Sequence, residues 1–149
     1  MARHTVAAAS LTLASALLAP LSYAACPSET IFACTTTTEK VVEVCESSKT
    51  IDYSFGKKNA KPEIVLSVPK SSVTSRQWNG IGRNMYFSVL IPNGKTIYEV
   101  FSNVDKFDEE TSHGIHILVS GKEVAAITCN PHTITDNIPN VTFKEAPEE

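Results

Sequence analysis

The chain has 149 residues, with 16 acidic against 13 basic side chains and a formal net charge of −3. That balance provides no basic footprint for a nucleic acid. The length is enough for one hydrophobic core and one domain.

Residues 1–24 read as a secretory leader. Arg3 and His4 precede an apolar run from Val6 to Leu21, and Ser22-Tyr23-Ala24-Ala25 offers small residues at a cut site after Ala24. Ser10, Thr12, Ser15 and Pro20 interrupt the run, which is shorter than the roughly 20 apolar residues of a spanning helix. No later stretch is long enough either, so no membrane span is expected. Cleavage would leave 12 basic and 16 acidic side chains, a net charge of −4. A competing reading makes Cys26 an acylated lipoprotein cysteine, although Tyr23 stands where such sites usually carry Leu. The expected location is periplasmic or secreted, in an oxidising space where cysteines pair. The expected organisation is a leader over 1–24, a β-domain over 25–130 and a partly ordered C-terminal tail over 131–149.

Strand signals dominate the rest: short runs of Val, Ile, Thr, Tyr and Phe between turn residues. They fall at Thr30–Thr36, Val41–Cys45, Thr50–Phe55, Glu63–Val68, Met85–Ile91, Thr96–Phe101, Ile115–Ser120 and Glu123–Cys129. Eight strands in hairpin order predict an all-β, disulfide-bonded antiparallel barrel or sandwich. A turn on Asn93-Gly94 would set Val89 opposite Tyr98 and Phe87 opposite Val100. A turn on Gly121-Lys122 would set Val119 opposite Val124 and Ile117 opposite Ala126. Pro69–Asn84 is a long polar segment with the only Trp, and it allows a short helix over Ser71–Gln77. Asp105–Thr111 is an acidic loop.

Cys26, Cys34, Cys45 and Cys129 allow three pairings. A hairpin turn on Glu39-Lys40 would set Cys34 directly opposite Cys45 and leave Cys26 with Cys129. The competing scheme joins Cys34 to Cys129 and Cys26 to Cys45. No Cys-x-x-Cys is present, which argues against redox or metal roles.

Other chemistry finds little support. His113 and His116 lie three apart, so on a strand they face opposite ways; they read as loop-end histidines, and with His132 they form no metal set. Asp105, Asp108, Glu109 and Glu110 lack the Asp/Asn alternation of a calcium loop. There is no Gly-x-Ser-x-Gly and no expected free thiol. No cofactor, metal or catalytic residue is assigned, and an enzyme is the least favoured class.

The segment Trp78-Asn79-Gly80-Ile81-Gly82-Arg83-Asn84-Met85-Tyr86 carries the strongest binding signal. Two glycines allow a tight turn, and Trp, Tyr and Arg are enriched at binding hot spots. The bland reading is a turn leading into a strand, with Trp78 as a core plug. In this loop, and in the placement of Phe32-Ala33-Cys34 and Ile127-Thr128-Cys129, the chain resembles the small exported bacterial inhibitors of c-type lysozyme, the membrane-bound and periplasmic kinds. That family forms eight-stranded antiparallel barrels and inserts a Ser-Gly-x-Gly-x-x-Tyr-like loop into the lysozyme cleft. Asn79 stands where the family has Ser, and Lys95 is the candidate for its second basic contact. The resemblance implies a protein-binding inhibitor or immunity-type protein directed at a cell-wall hydrolase. Trp78, Asn79, Gly80, Gly82, Arg83, Tyr86 and Lys95 would then be contact residues. Two alternatives remain: an envelope structural or adhesin-like subunit pairing through strand edges, and a small-ligand carrier using a barrel mouth.

Overall fold

The computed structural model describes residues 26–147. The leader reading and the cut after Ala24 lie outside the described residues. Eleven strands follow in chain order: β1 Glu29–Thr35, β2 Lys40–Glu46, β3 Thr50–Lys57, β4 Ile64–Pro69, β5 Thr74–Arg76, β6 Asn84–Asn93, β7 Thr96–Asp105, β8 Thr111–Val119, β9 Lys122–Thr128, β10 Thr135–Asp136 and β11 Lys144–Glu145. All eight strands expected from sequence are among them. They form a five-stranded sheet, β10-β1-β2-β3-β4, and a six-stranded sheet, β11-β5-β6-β7-β8-β9. The sheets do not close on each other, so the all-β fold is a sandwich rather than a barrel.

Alternation builds the core. Phe32, Val42, Val44, Ile51 and Tyr53 from the first sheet meet Val89, Ile91, Val100 and Ile115 from the second, and all are buried. Each such side chain stabilises the fold by roughly 1.5–3 kcal/mol relative to exposure. Residues 131–147 join both layers. β10 pairs with β1, β11 runs parallel to β5, and Ile138 inserts fully into the core. No described helix is long and apolar enough to cross a membrane.

The disulfides are Cys26–Cys45 and Cys34–Cys129, and no described cysteine is free. The hairpin-opposed Cys34–Cys45 pairing is therefore corrected. The first turn is centred earlier than Glu39-Lys40: Thr36 N–H donates to Lys40 O at 2.7 Å, and Glu39 adopts φ 61°. Cys34 consequently faces Val42, a core position. Cys45 lies three residues further along β2, on the opposite face, and a strand cannot aim both sulfurs at each other. Cys34–Cys129 instead joins the two layers and closes a loop of 95 residues, worth about 4–5 kcal/mol in the chain-entropy account. The Cys26 sulfur is committed to Cys45, and an acyl thioether would need that same sulfur.

Three further expectations change. The β6–β7 turn centres on Gly94-Lys95, so Val89 faces Val100 and Ile91 faces Tyr98. Gly94 alone in this turn has positive φ, 61°, as a turn with glycine in its first central position requires. The shift is two residues, so the expected apolar face is kept. The β8–β9 turn centres on Ser120-Gly121, both with positive φ. Past a bulge, Ile117 faces Ala125 rather than Ala126, which reverses the faces expected for β9. Finally, Ser71–Gln77 is not helical. A 3-10 turn over Lys70–Ser72 leads into β5, whose Thr74 and Ser75 pair with Leu90 and Val89.

Candidate functional site

The longest β-hairpin, β6–β7, delivers two loops to one end of the six-stranded sheet. Asn84 pairs with Asp105 there, so residues 77–83 before β6 and 106–110 after β7 emerge side by side. The first loop folds on itself. Asn79 Oδ1 accepts from Ile81 N–H at 3.1 Å, and Trp78 Nε1 donates to Ile81 O at 2.8 Å. Gly80 and Gly82 hold φ of 89° and 92°, which side-chain-bearing residues rarely adopt. Ile81 is thereby pushed outward between them.

Arg83 ties the loops together. Its Nε donates to Asp105 Oδ2 at 2.6 Å and its Nη2 to Asp108, while its guanidinium lies over the Phe107 ring at 5.4 Å. Lys106 N–H donates to Arg83 O at 3.2 Å, and the Lys106 ammonium sits 4.8 Å above the Trp78 ring. Asp105 Oδ1 also accepts from the amides of Phe107 and Asp108. Desolvation pushes the Asp105 carboxyl up, but the bonds from Arg83 and the two amides outweigh it and hold it below its ordinary value. The result is a braced two-loop knob. At its surface Ile81 is 77 % exposed and Phe107 75 %, the two most exposed large apolar side chains among the described residues.

The candidate residues thus separate into three groups. Trp78, Asn79, Gly80, Gly82 and Arg83 share the knob. Tyr86 does not join it: its ring stacks on Phe101 at 5.9 Å and its hydroxyl donates to Glu99 Oε1 at 3.2 Å, on the sheet's outer face. Desolvation first, then the Glu99 charge, raises its ionisation well above the ordinary value. Lys95 lies in the turn at the far end of the hairpin, ten residues before Asp105, a span of about 30 Å. Trp78 is half-buried over its own loop rather than in the core. Sequence reading missed Ile81, Lys106 and Phe107 as members of one surface. The readable signal was a large apolar residue between glycines and another inside an acidic run.

The histidines are strand residues, not loop-end ones, because β8 begins at Thr111. His113 faces inward, 3.3 Å from Asp136 on the other sheet, whereas His116 faces outward over Phe101. No cluster able to hold a metal occurs among the described residues.

No protein-family model, curated protein or solved structure matches this chain. The fold and the knob define it as a disulfide-pinned β-sandwich that displays a preorganised loop pair.

Proposed function

We propose that the protein is an exported binding protein whose two-loop knob engages a lysozyme-like cell-wall hydrolase as an inhibitor or immunity-type partner, in the periplasm or outside the cell. One observation carries the reading: Ile81 and Phe107 stand in water on loops already held by the Arg83–Asp105–Asp108 brace. Exposed apolar groups on a fixed backbone lose little entropy when covered, which favours association. Trp78 and Arg83 supply hot-spot residue types at the same place, and Phe107 a type enriched at interfaces. Asp105, Asp108, Glu109 and Glu110 outnumber Arg83 and Lys106 there, so the knob complements a basic hydrolase surface. In this reading Arg83 braces the loops and meets the partner from the rim; it does not carry a free charge into the partner's carboxylates. Two disulfides without a free described cysteine are consistent with an oxidising compartment.

The test is capture of c-, g- and i-type lysozymes by the immobilised mature protein, followed by turnover assays of those captured. Capture and inhibition of one type, lost in Ile81→Ser/Phe107→Ser, is the expected result. If none of the three is held, the hydrolase reading is wrong. The edge-strand reading keeps one supporting observation, because β4 and β9 are outer strands of the two sheets with Val65 and Val124 exposed. It predicts concentration-dependent self-association, visible by sedimentation.

A further inference from the structure

The outer face of the six-stranded sheet carries a cleft of about 520 Å³ lined by Arg76, Tyr86, Glu99, His116, Leu118 and Glu123. Its volume falls within the roughly 300–1,000 Å³ typical of small-molecule sites. These residues come from five strands, and two features of the chain bring them together.

The first is the buried carboxylate. Charged residues on the outer face of a sheet normally reach water, yet Glu99 is only 4 % exposed. Ser88 Oγ donates to its Oε1 at 2.7 Å, Tyr86 Oη at 3.2 Å and Arg76 Nε at 3.4 Å. Burying a charge is costly unless it is paired and hydrogen-bonded, and here it is both. All three bonds reach Oε1, while Oε2 accepts none among the described residues. That leaves one oxygen of the carboxylate for a ligand.

The second is the tight turn on Ser120-Gly121. It pairs Val119 with Lys122 and Leu118 with Glu123, so Glu123 shares the outward face with Leu118 and His116. Its Oε2 comes 2.8 Å from His116 Nδ1. The floor is equally specific. Phe101 stacks on His116 at 4.4 Å and crosses Gly114, where an added Cβ would fall 2.2 Å from Ile127 O and 3.1 Å from the Phe101 ring.

We propose that this cleft binds a neutral polyhydroxylated ligand, a short saccharide, between the Arg76–Glu99–Tyr86 cluster and the His116–Glu123 pair. The charges decide the class. Glu99 already has Arg76 beside it and Glu123 lies against the His116 ring, so a cation meets the Arg76 guanidinium and an anion meets two carboxylates. A neutral ring can donate its hydroxyls to Glu99 Oε2 and Glu123 and keep both pairs whole. Leu118 and the Tyr86 ring offer apolar surface for the C–H face of a sugar. The site is separate from the knob, so saccharide binding and hydrolase binding can fail independently.

The experiment is a titration of the ¹⁵N-labelled protein with N,N′-diacetylchitobiose and maltose as neutral probes. Deacetylated chitobiose serves as the cationic control and digalacturonic acid as the anionic one, all up to the order of 10 mM. Saturable shifts are expected at the amides of residues 76, 86, 99, 116–118 and 121–123 with at least one neutral probe. Glu123→Gln and Tyr86→Phe should each weaken that binding about tenfold, and Val65→Thr on the other sheet should leave it unchanged. The proposal is overturned if neither neutral probe shifts those amides, if a charged disaccharide binds more tightly, or if both cleft variants bind like the parent.

Discussion

The two candidate regions of the six-stranded sheet use charge in opposite ways. At the knob, Arg83 and its aspartates pair in the open, and their job is geometric: they hold loops whose apolar tips face water. In the cleft, Glu99 is taken out of water, and its partners must match it closely because an unmet bond there has no solvent substitute. On the proposed reading the knob would lose water to a large surface, and the cleft would exchange hydrogen bonds with a small one. Exposed ion pairs contribute little to stability, whereas removing one member of a buried pair leaves an uncompensated charge. Stability measurements should therefore report mainly on the cleft, and partner binding on the knob.

The largest contrast comes from deleting a charge in each place. Glu99→Ala should lower unfolding free energy by about 2–3 kcal/mol, reduced from the fully buried case because Arg76 keeps some contact with water. Arg83→Ala should cost less than about 1 kcal/mol in the same urea titration. Equal costs for the two variants would erase the distinction. Next in size, Ile81→Ser and Phe107→Ser should each remove about 2 kcal/mol of partner affinity while leaving the thermal midpoint unchanged.

Titration gives the smallest and most local contrast. Asp105 has a depressed folded-state pKa, so its contribution is present above the ordinary value of 3.8 and is lost as pH falls through the folded value. Acid should therefore loosen the knob, read as a change in Trp78 fluorescence below about pH 4 that Asp105→Asn abolishes. Tyr86 is shifted the other way. Its contribution is fully present below the ordinary value of 10.0 and lost as pH rises through the raised folded value. Alkali should thus attack the cleft, and Tyr86→Phe should remove that part of the alkaline destabilisation. An acid-sensitive cleft beside an acid-resistant knob would reverse the assignment.

Much of the scaffold was readable from residue order. β-branched and aromatic runs locate all eight long strands, and Gly94 marks its turn because few other residues accept that backbone. Registers were harder, since a turn displaced by one or two positions changes every pairing beyond it. The early turn at Thr36–Lys40 is enough to reverse the disulfide assignment. β5, β10 and β11 escape notice because two or three residues carry no period and form only against neighbours already in place. Within the knob, the Gly80-Ile81-Gly82-Arg83 run is legible as a turn, but its brace comes from Asp105 and Asp108, more than twenty residues away. The cleft was only half visible. Alternation along the β6–β7 hairpin puts Ser88 and Glu99 on its outer face, while the approach of Glu123 to His116 depends on the Ser120-Gly121 turn, one position from the turn expected on Gly121-Lys122.

The central claim is that the braced knob is the surface that meets a protein partner. Hydrogen–deuterium exchange of the protein, alone and with a saturating amount of each of c-, g- and i-type lysozyme in turn, tests it most directly. The account predicts new protection confined to residues 77–83 and 106–110. Protection along β4 or β9 instead, or none anywhere, would contradict it.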